Sequence, residues 1–186
     1  IWRGFYPAGG GQATLHLAPS SVSGFDLSRQ GSCAGMRIYS VASSDLAEQS
    51  VGRRQADRVV ERLDSEGFDV LERTVSRVDA ETPGSVLSIR LDCDRGMAGF
   101  DALGERGKPA EQVADEAVDA ALAFESGAAA VDRHAADQLL GFLALAGGRI
   151  AIPDVTDHVA SNRDLLAEFG FDVDVDTTGA VPVVQG

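Results

Sequence analysis

The chain has 186 residues, 44% of them apolar, and carries 29 acidic against 16 basic side chains, a formal charge of -13. That composition supports a buried core, and no apolar run approaches the roughly 18 residues of a membrane-spanning helix. No charged-then-apolar leader of the secretory type is expected either. Lys108 is the sole lysine, so nearly all positive charge is arginine. High acidity by itself suits a solvated or disordered surface. Here the charges alternate with periodic apolar positions, which favours a folded protein adapted to a salt-rich cytoplasm. At ~1 M salt the Debye length is only about 3 Å, so the negative charge does not exclude RNA as a partner. A start at Ile1 instead of Met points to a piece of a longer protein.

Residues 1–19 read as a Gly-rich turn at Gly9-Gly10-Gly11 followed by a strand, because Ala13 to Leu17 alternates apolar and polar. A Ser- and Gly-rich connection over 20–35 leads to a strand at Met36–Val41. A helix is expected over 45–66, with Leu46, Val59, Val60 and Leu63 inward and Gly67 as its stop. Alternation predicts strands at Phe68–Val78 and Val86–Leu91, the second after a Pro83-Gly84 turn. This series suggests a small inserted α/β domain. From residue 96 the spaced glycines Gly96, Gly99, Gly104 and Gly107 suggest a loop. A helix then runs from Pro109 to Phe124, with Val113, Ala117, Ala120, Ala121 and Phe124 inward. A second helix is expected over 130–146, with Leu139, Leu140, Leu143 and Leu145 as its stripe. A short strand at 149–152 follows. A third helix is expected at 161–169, opened by Ser161 with Asp164 as a capping box. Phe171–Val175 and Val181–Val184 close the chain as strands.

Chemistry-bearing residues are few. Cys33 and Cys93 lie far apart in sequence and form neither a metal motif nor a disulfide framework; they read as buried structural thiols, with an incidental pair as the alternative. His16 reads as an ordinary strand residue. By spacing alone, His134 reads as a partly buried or helix-capping histidine beside Asp137 and Gln138. His158 stands just before an expected helix start, where free N–H groups and the helix dipole favour an anion, so its imidazole could meet a phosphate. The Gly9–Gly11 turn lacks the Lys and Ser/Thr of a P-loop and the spacing of a dinucleotide fingerprint. No metal-ligand spacing appears in the sequence.

Four blocks in order carry a resemblance. Arg3-Gly4-Phe5-Tyr6-Pro7, Ala8 and Gly9-Gly10-Gly11 form the first, and Leu103-Gly104-Glu105-Arg106-Gly107-Lys108-Pro109-Ala110-Glu111 the second. His134-Ala135-Ala136-Asp137-Gln138-Leu139-Leu140 forms the third, and Thr156-Asp157-His158-Val159-Ala160-Ser161-Asn162 the fourth. Together they resemble the RNA 3'-terminal phosphate cyclase family over nearly the whole chain.

The resemblance implies an α/β (α+β) fold of repeated βαβαββ units with a small thioredoxin-like α/β domain inserted. Residues 1–35 and 96–186 would belong to the cyclase core, the latter as its third repeat, and 36–95 to the insert. The family's N-terminal half would be absent, and with it further active-site residues. The reaction implied is ATP-dependent conversion of an RNA 3'-phosphate end to a 2',3'-cyclic phosphate through a covalent histidine–AMP intermediate, with a divalent cation (Mg2+ or Mn2+) on the phosphates. By position His158 would be the nucleophile, and His134, Ala135, Ala136, Asp137 and Gln138 would line the ATP site. The alternative is a non-catalytic relative acting in RNA or ribosome maturation; such relatives lack the nucleophilic histidine, and His158 is present.

Overall fold

A computed structural model describes residues 3–186; Ile1 and Trp2, which open the expected N-terminal segment, lie outside the described residues. The chain divides into two units. One takes in the residues to Ala18, Gly35–Leu91 and Gly99–Leu122, and the other Pro19–Ala34, Asp92–Ala98 and Ala123–Gly186.

In the first unit, β2 (Cys33–Ser43), helix α1 (Val51–Glu66) and β3 (Val70–Val78) form a parallel β-α-β crossover, with Ile38 opposite Arg73 and Ser43 opposite Val78. Strands β4 (Ser85–Cys93) and β5 (Gly96–Leu103) complete a sheet of order β3-β2-β4-β5, and α2 (Ala110–Glu125) follows. Alternation in β2 and β4 buries Met36, Ile38, Leu87, Ile89 and Leu91, as period-2 side-chain geometry requires. From the helices, Ala56, Val59 and Leu63 of α1 and Val113, Ala114, Ala117, Val118 and Ala121 of α2 are buried as well. The buried Gln55 is satisfied from both sides: Ser40 Oγ donates to Oε1 at 2.8 Å, and Nε2 donates to Ser85 Oγ at 3.0 Å.

Four sequence expectations change in this unit. The glycines after residue 96 do not make a loop. Gly96–Leu103 is a strand, because Asp94-Arg95 is a two-residue turn that returns the chain beside β4 as its neighbour in the sheet. β5 and α2 therefore pack with β2–β4, whereas the composition change had assigned them to the following domain. Helix α1 starts at Val51; residues 44–46 form a separate 3-10 turn, so Leu46 is outside the helix. Gly67 stops α1 as expected, with φ 79° and its N–H bonded at the helix end. In α2 the inward positions are Ala114 and Val118 instead of Ala120, which is exposed.

Helices α1 and α2 are joined by a ladder of ion pairs at a constant separation of 57 residues. Arg54 forks onto Glu111 at 2.7 and 2.6 Å, Arg58 onto Asp115 at 2.8 and 3.3 Å, and Arg62 reaches Asp119 at 2.8 Å. Arg62 also donates to Asp115 at 2.9 Å, so Asp115 serves two guanidinium groups. Hydrogen bonds from Arg58 hold the Asp115 carboxyl below its ordinary range, and Arg54 does the same for Glu111. A depressed carboxyl stabilises the fold above its unfolded pKa, near 4, and loses that contribution as pH falls through the folded value. Asp115→Asn is therefore expected to cost about 1 kcal/mol at neutral pH and low salt. It should also narrow the stability difference between pH 6 and pH 2, as measured by urea unfolding. Equal pH dependence in the two proteins would remove Asp115 from the network.

The second unit holds a sheet of order β1-β6-β8-β7, from β1 (Phe25–Leu27), β6 (Gly148–Ala151), β7 (Asp174–Asp176) and β8 (Val183–Gln185). β1 and β6 are parallel, and β8 is antiparallel to both β6 and β7. Asp26 and Arg149, opposite each other on β1 and β6, bond at 2.9 and 2.8 Å, which pulls the Asp26 carboxyl far below the usual range. Helices α3 (Arg133–Gln138), α4 (Leu140–Ala146) and α5 (Asp157–Glu168) build a core of Ala136, Leu140, Leu143 and Val159 against Ile150, Ile152 and Val184. The single helix expected over 130–146 is thus two, divided at Leu139 in a tightened turn with φ -81° and ψ -12°. Leu140 and Leu143 reach the core, and Leu145 is 71% exposed.

The strand expected at 13–17 does not form. Those residues have no ladder partner, and Leu15 and Leu17 stand 78% and 84% exposed. Cys33 and Cys93 are not free thiols: they form a disulfide across a sequence separation of 60. Spacing could not show this, because two neighbouring strands, β2 and β4, bring the residues together.

Candidate functional site

The expected site residues fall on two elements of the second unit, α3 and the start of α5. Asp132 caps α3, its Oδ1 accepting the N–H groups of His134 at 2.9 Å and Ala135 at 2.8 Å. His134 is exposed, Ala135 is half-buried and Gln138 is exposed. Ala136 is wholly buried in the core, so its side chain packs the helix down and is covered on all sides. Asp137 is half-buried, but its Oδ1 is shut off from solvent and has no hydrogen-bond partner among the described residues. A carboxylate oxygen in that position costs free energy until a donor reaches it.

Helix α5 begins earlier than the Ser161 capping box suggests. Thr156, in an extended conformation, is the N-cap, and its Oγ1 accepts the Val159 N–H at 3.1 Å. Ser161 instead lies inside the helix and donates back to the Asp157 carbonyl at 2.7 Å. His158 is therefore in the first helical turn and not before it. Val159 is buried in the core with no exposure, and His158, about 100° away around the helix, is exposed. The ring has free access to a ligand at a helix start, where unbonded N–H groups collect.

α3 packs against α5, and an ion pair joins their approaches: Arg133 at the start of α3 donates to Asp154, in the loop before α5, at 2.7 Å. This bond keeps the Arg133 guanidinium charged beyond its ordinary range. Both partners are well exposed, so the pair contributes position more than stability. Beside α3 lies an apolar cleft of about 400 Å³ whose wall includes Ala135 and Gln138, together with Leu27, Met97, Leu139 and Phe142. A polar amide at the rim of an apolar slot is the arrangement that orients a flat heterocycle. Sequence reasoning missed Arg133, Asp154 and the cleft. Arg133 carried a signal as the neighbour of His134, but Met97 carried none, since its part comes from the fold. The Gly9–Gly11 turn and the Leu103–Glu111 block belong to the other unit; Gly9 closes a turn by donating to the Phe5 carbonyl at 2.8 Å.

Comparison with known proteins gives a consistent family. Residues 28–125 match the family model described as RNA 3'-terminal phosphate cyclase (RTC), insert domain, a range that takes in β2 through α2. A protein of Halobacterium salinarum named RNA 3'-terminal phosphate cyclase is 42% identical over 181 residues, covering 96% of this chain and 51% of the relative. Proteins of the same name from Pseudomonas aeruginosa and Saccharolobus islandicus are 34% and 31% identical, over 90% and 98% of this chain and 48% and 53% of theirs. The chain spans about half the length of the curated relatives it matches.

Proposed function

The chain belongs to the RNA 3'-terminal phosphate cyclase family, and from that premise we propose that it carries the nucleotide-accepting half of an ATP-dependent cyclase acting on RNA 3'-phosphate ends. His158 is the nucleophile. An unprotonated imidazole nitrogen attacks the α-phosphorus of ATP; an N–P bond forms and the bond to pyrophosphate breaks. An oxygen of the RNA 3'-phosphate then takes the adenylate from histidine. The neighbouring 2'-hydroxyl attacks the activated phosphorus, closing the 2',3'-cyclic phosphate and expelling AMP. The adenylate turns a poor phosphate leaving group into a good one, which is the chemical reason for spending ATP.

The observation that supports this reading best is the exposed His158 in the first turn of α5, with α3 packed against that helix. Ala135 and Gln138, on the wall of the apolar cleft, suit the nucleobase. Asp137, half-buried beside Gln138 on α3, is proposed as a polar contact to the nucleotide, and His134 flanks it at the exposed end of the helix. Among the described residues, no group of three His, Cys, Asp or Glu converges to hold a metal ion. A divalent cation bound to the phosphates of ATP would offset their negative charge. We place the protein in the cytoplasm, where ATP and RNA ends meet; no helix among the described residues is long and apolar enough to cross a membrane.

The test is a pulse with α-labelled ATP, using this chain supplemented with the remaining half of a relative. An acid-labile AMP adduct is expected, mapping to the peptide that contains His158. The chain alone is expected to give little or no adduct, because the relatives are about twice its length. An adduct mapping to any other residue would remove the proposal.

A further inference from the structure

We propose that a cleft in the first unit, walled by Arg53, Arg73 and Arg77, binds a phosphate group carried by a nucleotide or an RNA strand. The cleft has a volume of about 460 Å³ and lies at the carboxyl ends of the parallel strands β2 and β3, over the first turn of α1. Ligands of open α/β sheets collect at that end of parallel strands.

The charge arrangement carries the inference. In a chain of formal charge -13, three arginines surround this one cleft, and Asp57 is the only acidic residue in its lining. Asp57 is already bonded to Arg73. Arg53 and Arg77 have no hydrogen-bond or ion-pair partner among the described residues. By contrast the neighbouring Arg54 is forked onto Glu111. Helix starts favour acidic side chains, yet the first turn of α1 has none and Ser50 makes no side-chain cap. Arginine there is unfavourable unless an anion completes the site.

The floor is tightly built. Arg73, Val75 and Arg77 alternate with Thr74 and Ser76 along β3 and so share one face of the strand. Gly52 lets α1 settle onto the sheet, since a Cβ there would lie 3.3 Å from both Ser40 Oγ and Val75 Cγ1. Guanidinium groups converging on one space from a helix and a strand match the tetrahedral oxygens of phosphate, which accept paired N–H bonds. The inference is independent of the histidine reading, because the cleft and His158 lie in different units.

The test compares the wild-type chain with Arg53→Gln/Arg77→Gln and with Arg29→Gln/Arg95→Gln, which removes the same charge elsewhere. Inorganic phosphate, AMP and a 3'-phosphorylated oligouridylate are titrated into each at low salt, with binding followed by calorimetry and amide shifts. At least about tenfold weaker binding is expected for the cleft variant only. For the oligonucleotide its salt slope should fall by about 0.7, the value of one lost single-strand phosphate contact. Shifts should centre on residues 50–53 and 73–77. Preference for AMP would assign the cleft to a free nucleotide, and preference for the oligonucleotide to RNA; either result upholds the site. Equal weakening in both variants, shifts centred elsewhere, or no binding by the wild type at millimolar ligand would overturn it. All four arginines are exposed, so unchanged thermal melting is expected for both variants.

Discussion

His158→Ala is expected to lower adenylation of the complete enzyme by at least about 10⁴-fold, the scale on which removal of a covalent nucleophile acts. The fold should not change. The His158 side chain is exposed, Thr156 caps the helix through its own hydroxyl, and Val159 supplies the core contact. A surface substitution of this kind is worth within about 0.5 kcal/mol. The measurements are AMP labelling with ATP in excess and, in parallel, the urea midpoint. A loss of labelling with an unchanged midpoint separates chemistry from folding. Labelling that survives in the alanine variant would place the nucleophile elsewhere and leave α5 with a binding role only. Asp137→Asn offers a second readout, because it keeps the shape and removes the charge. If Asp137 is a polar contact to ATP, the variant should raise the KM for ATP more than it lowers kcat.

Cys33→Ser is expected to cost up to about 4 kcal/mol of unfolding free energy under oxidising conditions, the chain-entropy value for a closed loop of this length. The effect lies in the unfolded state. In the folded chain the two cysteines are neighbours without the bond, because β2 and β4 are adjacent in the sheet and the Asp94 N–H donates to the Ser32 carbonyl at 2.9 Å. The disulfide therefore adds little to the native contacts and mainly removes the freedom of the 60-residue excursion once it unfolds. Urea unfolding followed by circular dichroism, with and without dithiothreitol, reads the effect. Reductant should shift the wild-type midpoint to that of the variant and leave the variant unmoved. Identical wild-type midpoints in both conditions, or two titratable thiols in the native protein, would show that the bond does not form in solution.

Much of the architecture was legible before any coordinates. Gly67 as the stop of α1, Pro109 ahead of α2, and the alternation of β2, β3 and β4 follow from local rules, and each element stands within a few residues of its expected place. The two strand failures share one cause. The strand expected at 13–17 alternates correctly but has no partner, and the glycines of 96–103 form a strand because β4 provides one. A strand is a statement about a neighbour, and a neighbour is not written in the local sequence. The third helix was misplaced because Ser161 and Thr156 are both acceptable caps. Burial of Val159 selects the earlier one.

Four blocks of sequence in order determined the family of this chain, and composition determined that it would be acidic, arginine-based and able to form a core. Periodicity determined most helices and strands, because it is a property of successive residues. Tertiary structure alone decided that Cys33 meets Cys93, that Arg54, Arg58 and Arg62 meet a row of acids 57 residues on, and that α3 lies against α5. It also decided which face of α5 shows His158 and which buries Val159. These are contacts between distant segments, fixed by how sheets order their strands and how helices bury their apolar sides, and no window of neighbouring residues contains them.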